Sequence, residues 1–251
     1  MDETSRKGHN YITVVVDLKE RNVIFATEGK DHTTVDTFVE DFKAHNGNPD
    51  NIRIVTCDMS LGFRKGIADN FPNSQTIIDK FHVIKHANEA VDAVRKAESK
   101  ENPILKKTKY LWLKNEGNLT DKQLEWKQEL MKASRHLKTG RAYTMRVELQ
   151  DIYEQASDRQ TAEARLSKLC TWMMHSRLAE MKKLCRLIKD HWNEILNYFD
   201  YKFTNAILEG MNSIIQNVKR RARGFRNTEY FKTMIYLNCS DLDIEAVITI
   251  A

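Results

Sequence analysis

Tyr11-Ile-Thr-Val-Val-Val-Asp-Leu18, followed after Lys19-Glu-Arg21 by Asn22-Val-Ile-Phe-Ala-Thr27, decides the fold class. Both runs are rich in β-branched residues, whose stiff side chains suit a pleated strand. Three polar residues between them predict a hairpin. Downstream, Val35, Phe38, Val39 and Phe42 recur at helical spacing, and Asn46-Gly47-Asn48-Pro49 closes that helix. Asn51-Ile-Arg-Ile-Val-Thr-Cys57 then reads as a short buried strand ending on Asp58. After a polar segment holding Gly62 and Gly66, Gln75-Thr-Ile-Ile78 reads as another, ending on Asp79. Hairpin, helix, strand, helix, strand make a mixed α/β core.

From residue 80 to about 198 the pattern changes to heptad-like apolar spacing among many charges, which predicts several helices. Breaks are expected at Asn102-Pro103, Glu116-Gly117-Asn118 and Thr139-Gly140. Thr120 followed three residues later by Gln123 has the form of a capping box. Residues 204–217 read as one more helix, continuing into a basic run up to Gly224.

Composition narrows the class. With 3 Pro and 9 Gly in 251 residues, collagen-like and low-complexity chains are excluded and a turn-rich β-sandwich is disfavoured. No apolar run approaches the ~18 residues that would span a bilayer, and the polar first ten residues do not read as a signal peptide. Four scattered cysteines form no C-x-x-C pair. A soluble, intracellular, mostly helical protein is expected. Net charge is only +5, but residues 201–232 carry seven bases against Glu209 and Glu229, a concentration that suits a polyanionic partner.

Two acids, Asp58 and Asp79, each follow a short strand, where open α/β sheets gather ligands; strand-end Asp residues also start turns and cap helices. On the 204–217 helix at 100° per residue, Asn205, Asn212 and Gln216 fall within about 60° of Glu209. Arg220 and Arg223 join that face if the helix continues, while Ile207, Met211, Ile214 and Val218 form the opposite stripe. One carboxylate, amides and then guanidiniums suit a metal-assisted phosphodiester site, with the acid holding a cation and the bases holding phosphates. His82 and His86 have zinc-compatible spacing but lack a following glutamate. The tryptophans and methionines read as core, and there is no Walker, G-x-S-x-G or dinucleotide motif.

In order, the chain carries Asp2-Glu-Thr, Lys7-Gly-His9, Tyr11-Ile-Thr-Val-Val-Val-Asp17, Asp58-Met-Ser60 and Asp79-Lys-Phe-His82. Thr204-Asn-x-x-x-Glu209-Gly-x-Asn212 and Lys219-Arg-Arg-Ala-x-Gly-Phe-Arg-Asn227 complete the set. Together these resemble the catalytic domain of bacterial insertion-sequence DDE transposases of the ISL-three family, over essentially the whole chain. The resemblance implies an RNase H-like mixed sheet core with a large all-helical insertion. Residues 1–95 would form the N-terminal part of the core, 96–200 the insertion, and 201–251 the helices completing the core. It further implies cleavage and joining of double-stranded DNA at transposon ends by two Mg²⁺ or Mn²⁺ ions roughly 3.5–4 Å apart.

Carried over by position, the catalytic and metal-holding acids are Asp2, Asp58 and Glu209; Asp17 is the alternative for the first, but in this fold that acid stands on the first strand and residues 11–27 read as the second and third, which favours Asp2. Asp79, His82, Asn205 and Asn212 would neighbour the site, and Lys219, Arg220, Arg221, Arg223 and Arg226 would contact DNA. A homo-oligomer on DNA, no membrane partner and a cytoplasmic, nucleoid-associated location follow from the same resemblance. Such proteins carry an N-terminal zinc-finger and helix-turn-helix region that is absent here, so a fragment or truncated reading frame is expected. The rival readings are a non-catalytic DNA-binding remnant and an RNase H-like nuclease acting on hybrids.

Overall fold

In the computed structural model, strands β1 (Ile12–Asp17) and β2 (Asn22–Glu28) form the antiparallel hairpin. The described residues are 11–114, 116–133, 137–202 and 206–242, without the side chains of Ala133, Ala206 and Glu209. Helix α1 (His32–Ala44) follows, then a 3₁₀ turn (Pro49–Asn51), β3 (Ile54–Cys57), α2 (Leu61–Asn70) and β4 (Gln75–Ile78). β3 and β4 make a second two-stranded sheet, with the Gln75 N–H donating to the Arg53 carbonyl at 2.8 Å. The chain divides into two compact units, residues 1–76 with 203–251, and residues 77–202.

In the first unit the hairpin serves two layers. Ile12, Val14 and Val16 pack with Val23 against helices α10 (Ala206–Arg221) and α11 (Thr228–Cys239). Val15 and Phe25 pack on the other side with Val35, Phe38 and Val39 of α1 and Ile67 of α2. Strand alternation alone would put Val23 and Phe25, two residues apart, on one face. A bulge separates them: Val15 pairs with Phe25 but Val16 pairs with Val23, which skips Ile24 and leaves it exposed. The extra residue reverses the phase of β2, so one short hairpin supplies apolar surface to helices on both sides. Tyr236 of α11 ties its helix to β2, its hydroxyl accepting the Ala26 N–H at 2.8 Å.

On α10 the buried stripe is Met211 and Ile215 with Ile207 and Val218 packed beside them. Ile214, expected in that stripe, is exposed instead. The sheet and α11 meet the helix about 25° further round than the sequence pattern placed them, and at 100° per residue that exchanges Ile214 for Ile215.

The second unit holds α3 (Lys80–Glu98), α4 (Lys109–Leu113), α5 (Asp121–Ala133), α6 (Lys138–Gln155), α7 (Arg159–His175), α8 (Ala179–Asp190) and α9 (Trp192–Tyr201). Central α3 buries Val83, Ala87, Val91 and Val94 against α6 and α8. The capping box forms: the Thr120 N–H donates to Gln123 Oε1 at 3.2 Å, and the Gln123 N–H to Thr120 Oγ1 at 3.4 Å. The expected break at Thr139-Gly140 does not occur, because both lie in the first turn of α6. The buried Glu98 carboxylate accepts the Lys138 and Thr139 N–H groups at 2.8 and 2.7 Å, capping α6 from another helix. Trp112 is buried, whereas Trp126 and Trp172, expected in the core, are exposed. No helix among the described residues is long and apolar enough to cross a membrane.

Candidate active site

Asp58 stands directly after β3 in the first unit, half-buried. Its Oδ1 accepts the Ser60 N–H at 2.8 Å, an Asx turn that leads into α2 and fixes the carboxylate at the end of the strand. With Oδ1 accepting the neutral Ser60 N–H, Oδ2 is the oxygen chemically suited to a hard, oxygen-seeking divalent cation. Helix α10 carries the backbone of Glu209 in the same unit. The side chain of Glu209 lies outside the described residues, as do Asp2 and Asn205 in full. Among the described residues no group of three or more His, Cys, Asp and Glu side chains comes together as a metal site.

Asp17, the alternative first acid, ends β1, and its Oδ1 accepts the Lys19 and Glu20 N–H groups at 2.8 and 3.1 Å. That carboxylate holds the hairpin turn, with Arg21 in a left-handed conformation at φ 57°. Asp79 belongs to the second unit and caps α3, accepting the Phe81 N–H at 2.9 Å. Its side chain is 11% exposed and stands 3.9 Å from His82 Nε2. His86 faces Glu89 at 3.2 Å instead, so each histidine has its own acid. Behind them Tyr153 is buried with a hydroxyl that finds no hydrogen-bond partner, and burial, with Tyr198 and Asp79 adding to it, pushes that phenol well above its usual range.

Asn212 is exposed on α10, and the bases lie at the C-terminal end of that helix and beyond it. A depression of about 510 Å³ is lined by Asn217, Arg220 and Arg221, and the Arg220 guanidinium donates to Asn217 Oδ1. Lys219 sits 5.8 Å from the Phe231 ring, and partial burial lowers its pKa.

Helix α10 does not continue through Arg223, as the face assignment required. It stops at Arg221 in a Schellman motif: the Gly224 N–H returns to Lys219 O at 2.9 Å and the Arg223 N–H to Arg220 O at 3.0 Å. Arg223 therefore occupies the left-handed position usually given to glycine, at φ 54°, off the helical face. Beyond it, Phe225 stacks on Phe231 at 4.7 Å, and Asn227 caps α11 by accepting the Glu229 and Tyr230 N–H groups. The loop is thus pinned at both ends while Arg223 and Arg226 stay exposed. Sequence reasoning saw the arginines but missed this frame; Gly224, Phe225 and Asn227 were its signal.

A family model described as Transposase, for the DDE type of the ISL-three group, matches residues 1–235. The transposase for insertion sequence element IS1001 of Bordetella parapertussis is 30% identical over 240 residues, covering 92% of this chain and 58% of that protein. The transposase for insertion sequence element IS1557 of Mycobacterium tuberculosis (strain CDC 1551 / Oshkosh) is 25% identical over 261 residues, covering 91% and 57%. The chain thus spans a little under three fifths of these relatives' length. No solved structure matches it.

Proposed function

The chain belongs to the ISL-three family of DDE transposases, a family of DNA transposition, and from that premise we propose that it is the catalytic domain that cleaves and joins DNA phosphodiester bonds at transposon ends. Asp2, Asp58 and Glu209 would hold the divalent ions, Mg²⁺ or Mn²⁺, on an RNase H-like core into which residues 96–200 are inserted. Such ions, when bound, activate a water or a DNA 3′-hydroxyl and stabilise the leaving oxygen. The observation that carries the reading is the Asp58 carboxylate, fixed by the Ser60 N–H at the end of β3 in the unit that also contains α10. Anchored in this way, Asp58 can present its second oxygen without first losing side-chain freedom. Lys219, Arg220, Arg221, Arg223 and Arg226 would bind phosphates, orienting the strand without reading bases. Asp79 and His82, with Asn205 and Asn212, would border the site. Work on DNA implies a nucleoid location, and pairing two transposon ends would suit a homo-oligomer.

The test is nicking of supercoiled plasmid DNA in Mg²⁺ or Mn²⁺ by the full chain, with Asp58→Asn as the variant. Asparagine keeps the oxygen that accepts from Ser60, so the turn survives while the charge is lost. Losing several kcal/mol of transition-state stabilisation, at about 1.4 kcal/mol per factor of ten, corresponds to a fall of roughly 10³ or more. Undiminished nicking by Asp58→Asn refutes the assignment. A wild-type chain that binds DNA without cutting it is the non-catalytic remnant instead.

A further inference from the structure

In the helical unit, the segment from Lys100 to Lys114 carries five lysines against Glu101, and its one large exposed ring is Tyr110, 60% accessible. Lys109 Nζ lies 5.8 Å and Lys114 Nζ 5.9 Å from the centre of that ring. The backbone beneath is anchored. Leu105, Thr108, Leu111 and Trp112 are buried, Thr108 Oγ1 donates to Leu105 O at 2.6 Å, and Trp112 Nε1 donates to Thr108 Oγ1 at 3.1 Å. Arg95, held by Asp92, adds a bond to Leu105 O at 3.2 Å. Lys107 sits in the left-handed region at φ 63°, a conformation a lysine keeps only where its surroundings impose it.

We infer that this platform is a binding site for single-stranded DNA, with Tyr110 stacking on an unpaired base and the flanking lysines contacting the adjacent phosphates. The chemistry is that of a stacking surface inside a positive field: every base has a π-face, and the lysines supply sequence-independent attraction. A base inside a duplex has no free face to offer, so the ring selects strands that are opened or frayed. Anchoring the backbone beneath the ring beforehand lowers the ordering cost on binding. The choice of DNA over other polynucleotides rests on the function proposed above; the stacking platform itself does not.

The experiment measures binding of the full chain to labelled oligothymidylate longer than the ~4–16 nucleotides such sites cover, and to a duplex of equal length. EDTA is present throughout, so that cleavage plays no part. Tyr110→Ala is expected to weaken single-strand binding roughly 5- to 150-fold, the range for losing one base–aromatic stack, while duplex binding is unchanged. Tyr110→Phe retains the ring and should bind as wild type. Lys109→Gln/Lys114→Gln should flatten the slope of log K against log salt by about 1.4, two single-strand phosphates' worth. The inference is overturned if Tyr110→Ala leaves single-strand affinity intact, or lowers single-strand and duplex binding equally. Plasmid nicking is scored separately: a chain that cuts DNA but ignores Tyr110→Ala sinks this inference alone, and one that binds without cutting sinks only the proposed activity.

Discussion

Two glycines of the first unit should respond to the same substitution with opposite signs. Gly66 lies within α2, where a Cβ would fall 2.7 Å from Val35 Cβ, 2.8 Å from Val35 Cγ2 and 3.1 Å from the His32 carbonyl oxygen of α1. Gly210 lies within α10 with nothing within 4 Å of a Cβ. Replacing a mid-helix glycine by alanine gains about 0.8–1 kcal/mol from backbone propensity alone. At Gly210 nothing opposes that gain, so Gly210→Ala should stabilise the unit by about that amount. At Gly66 the methyl group must push a β-branched side chain and a helix backbone apart, and overpacking of this kind costs about 1–3 kcal/mol. Gly66→Ala should therefore range from neutral to about 2 kcal/mol destabilising. Because propensity cancels between the two variants, their difference of about 1–3 kcal/mol measures the α1–α2 approach itself. Tryptophan fluorescence cannot report it, since Trp112, Trp126, Trp172 and Trp192 all lie in the other unit. The assay is hydrogen exchange across a urea series, read on peptides from β1, β2 and α11. Equal stabilisation by both variants would refute the close crossing that sets α2, and with it the turn that holds Asp58.

Arg223→Gly should stabilise the first unit by up to about 1 kcal/mol, because it relieves a left-handed arginine. In a DNA salt series the same variant should lower the slope by about 0.9, so stability and binding move in opposite directions. Glu98→Ala strands two backbone donors at the start of α6 and should cost the helical unit roughly 2 kcal/mol or more, read by tryptophan fluorescence in urea. Burial, with Cys185 beside it, pushes the Cys170 thiol up to about 12. A raised folded-state pKa stabilises fully below the unfolded value near 8.5 and is lost as pH rises towards 12. The helical unit should therefore weaken through that alkaline window, and less steeply in Cys170→Ala.

Much of the architecture was legible because it depends on short-range pattern. The β-branched runs gave both hairpin strands, and Thr120 with Gln123 gave the start of α5. What escaped was decided at long range. Thr139-Gly140 looks like a break because no local residue caps it; the acceptors come from Glu98, some forty residues earlier in the chain. Ile214 and Ile215 are adjacent, and only the placement of the sheet and α11 selects which is buried. The bulge at Ile24 is equally silent, since alternation predicts a single face for Val23 and Phe25. Trp126 and Trp172 read as core on hydrophobicity alone, whereas Tyr110 lies in a stretch whose alternation of lysines with Leu105, Thr108 and Leu111 separates an anchored side from an exposed one.

The acids show where local physics stops. Asp58 and Asp79 each follow a short strand, and each accepts an N–H two residues on, at 2.8 and 2.9 Å. Nothing in either hydrogen bond marks one as a metal ligand and the other as a helix cap. Their difference lies in what each is built into. Asp79 opens α3, the central helix of the helical unit, so its carboxylate offsets the unpaired donors of a nineteen-residue helix. The Asp58 turn leads into α2, whose cap residue Ser60 makes no side-chain capping bond, and it shares a unit with α10, the helix that carries Glu209. A carboxylate needed to secure a long helix has one oxygen committed to structure and a stability cost for moving. One that holds only a two-residue turn can be aimed by the strand behind it. The proposed division of labour, Asp58 as ligand and Asp79 as neighbour, rests on the family resemblance, and this difference in surroundings supports it.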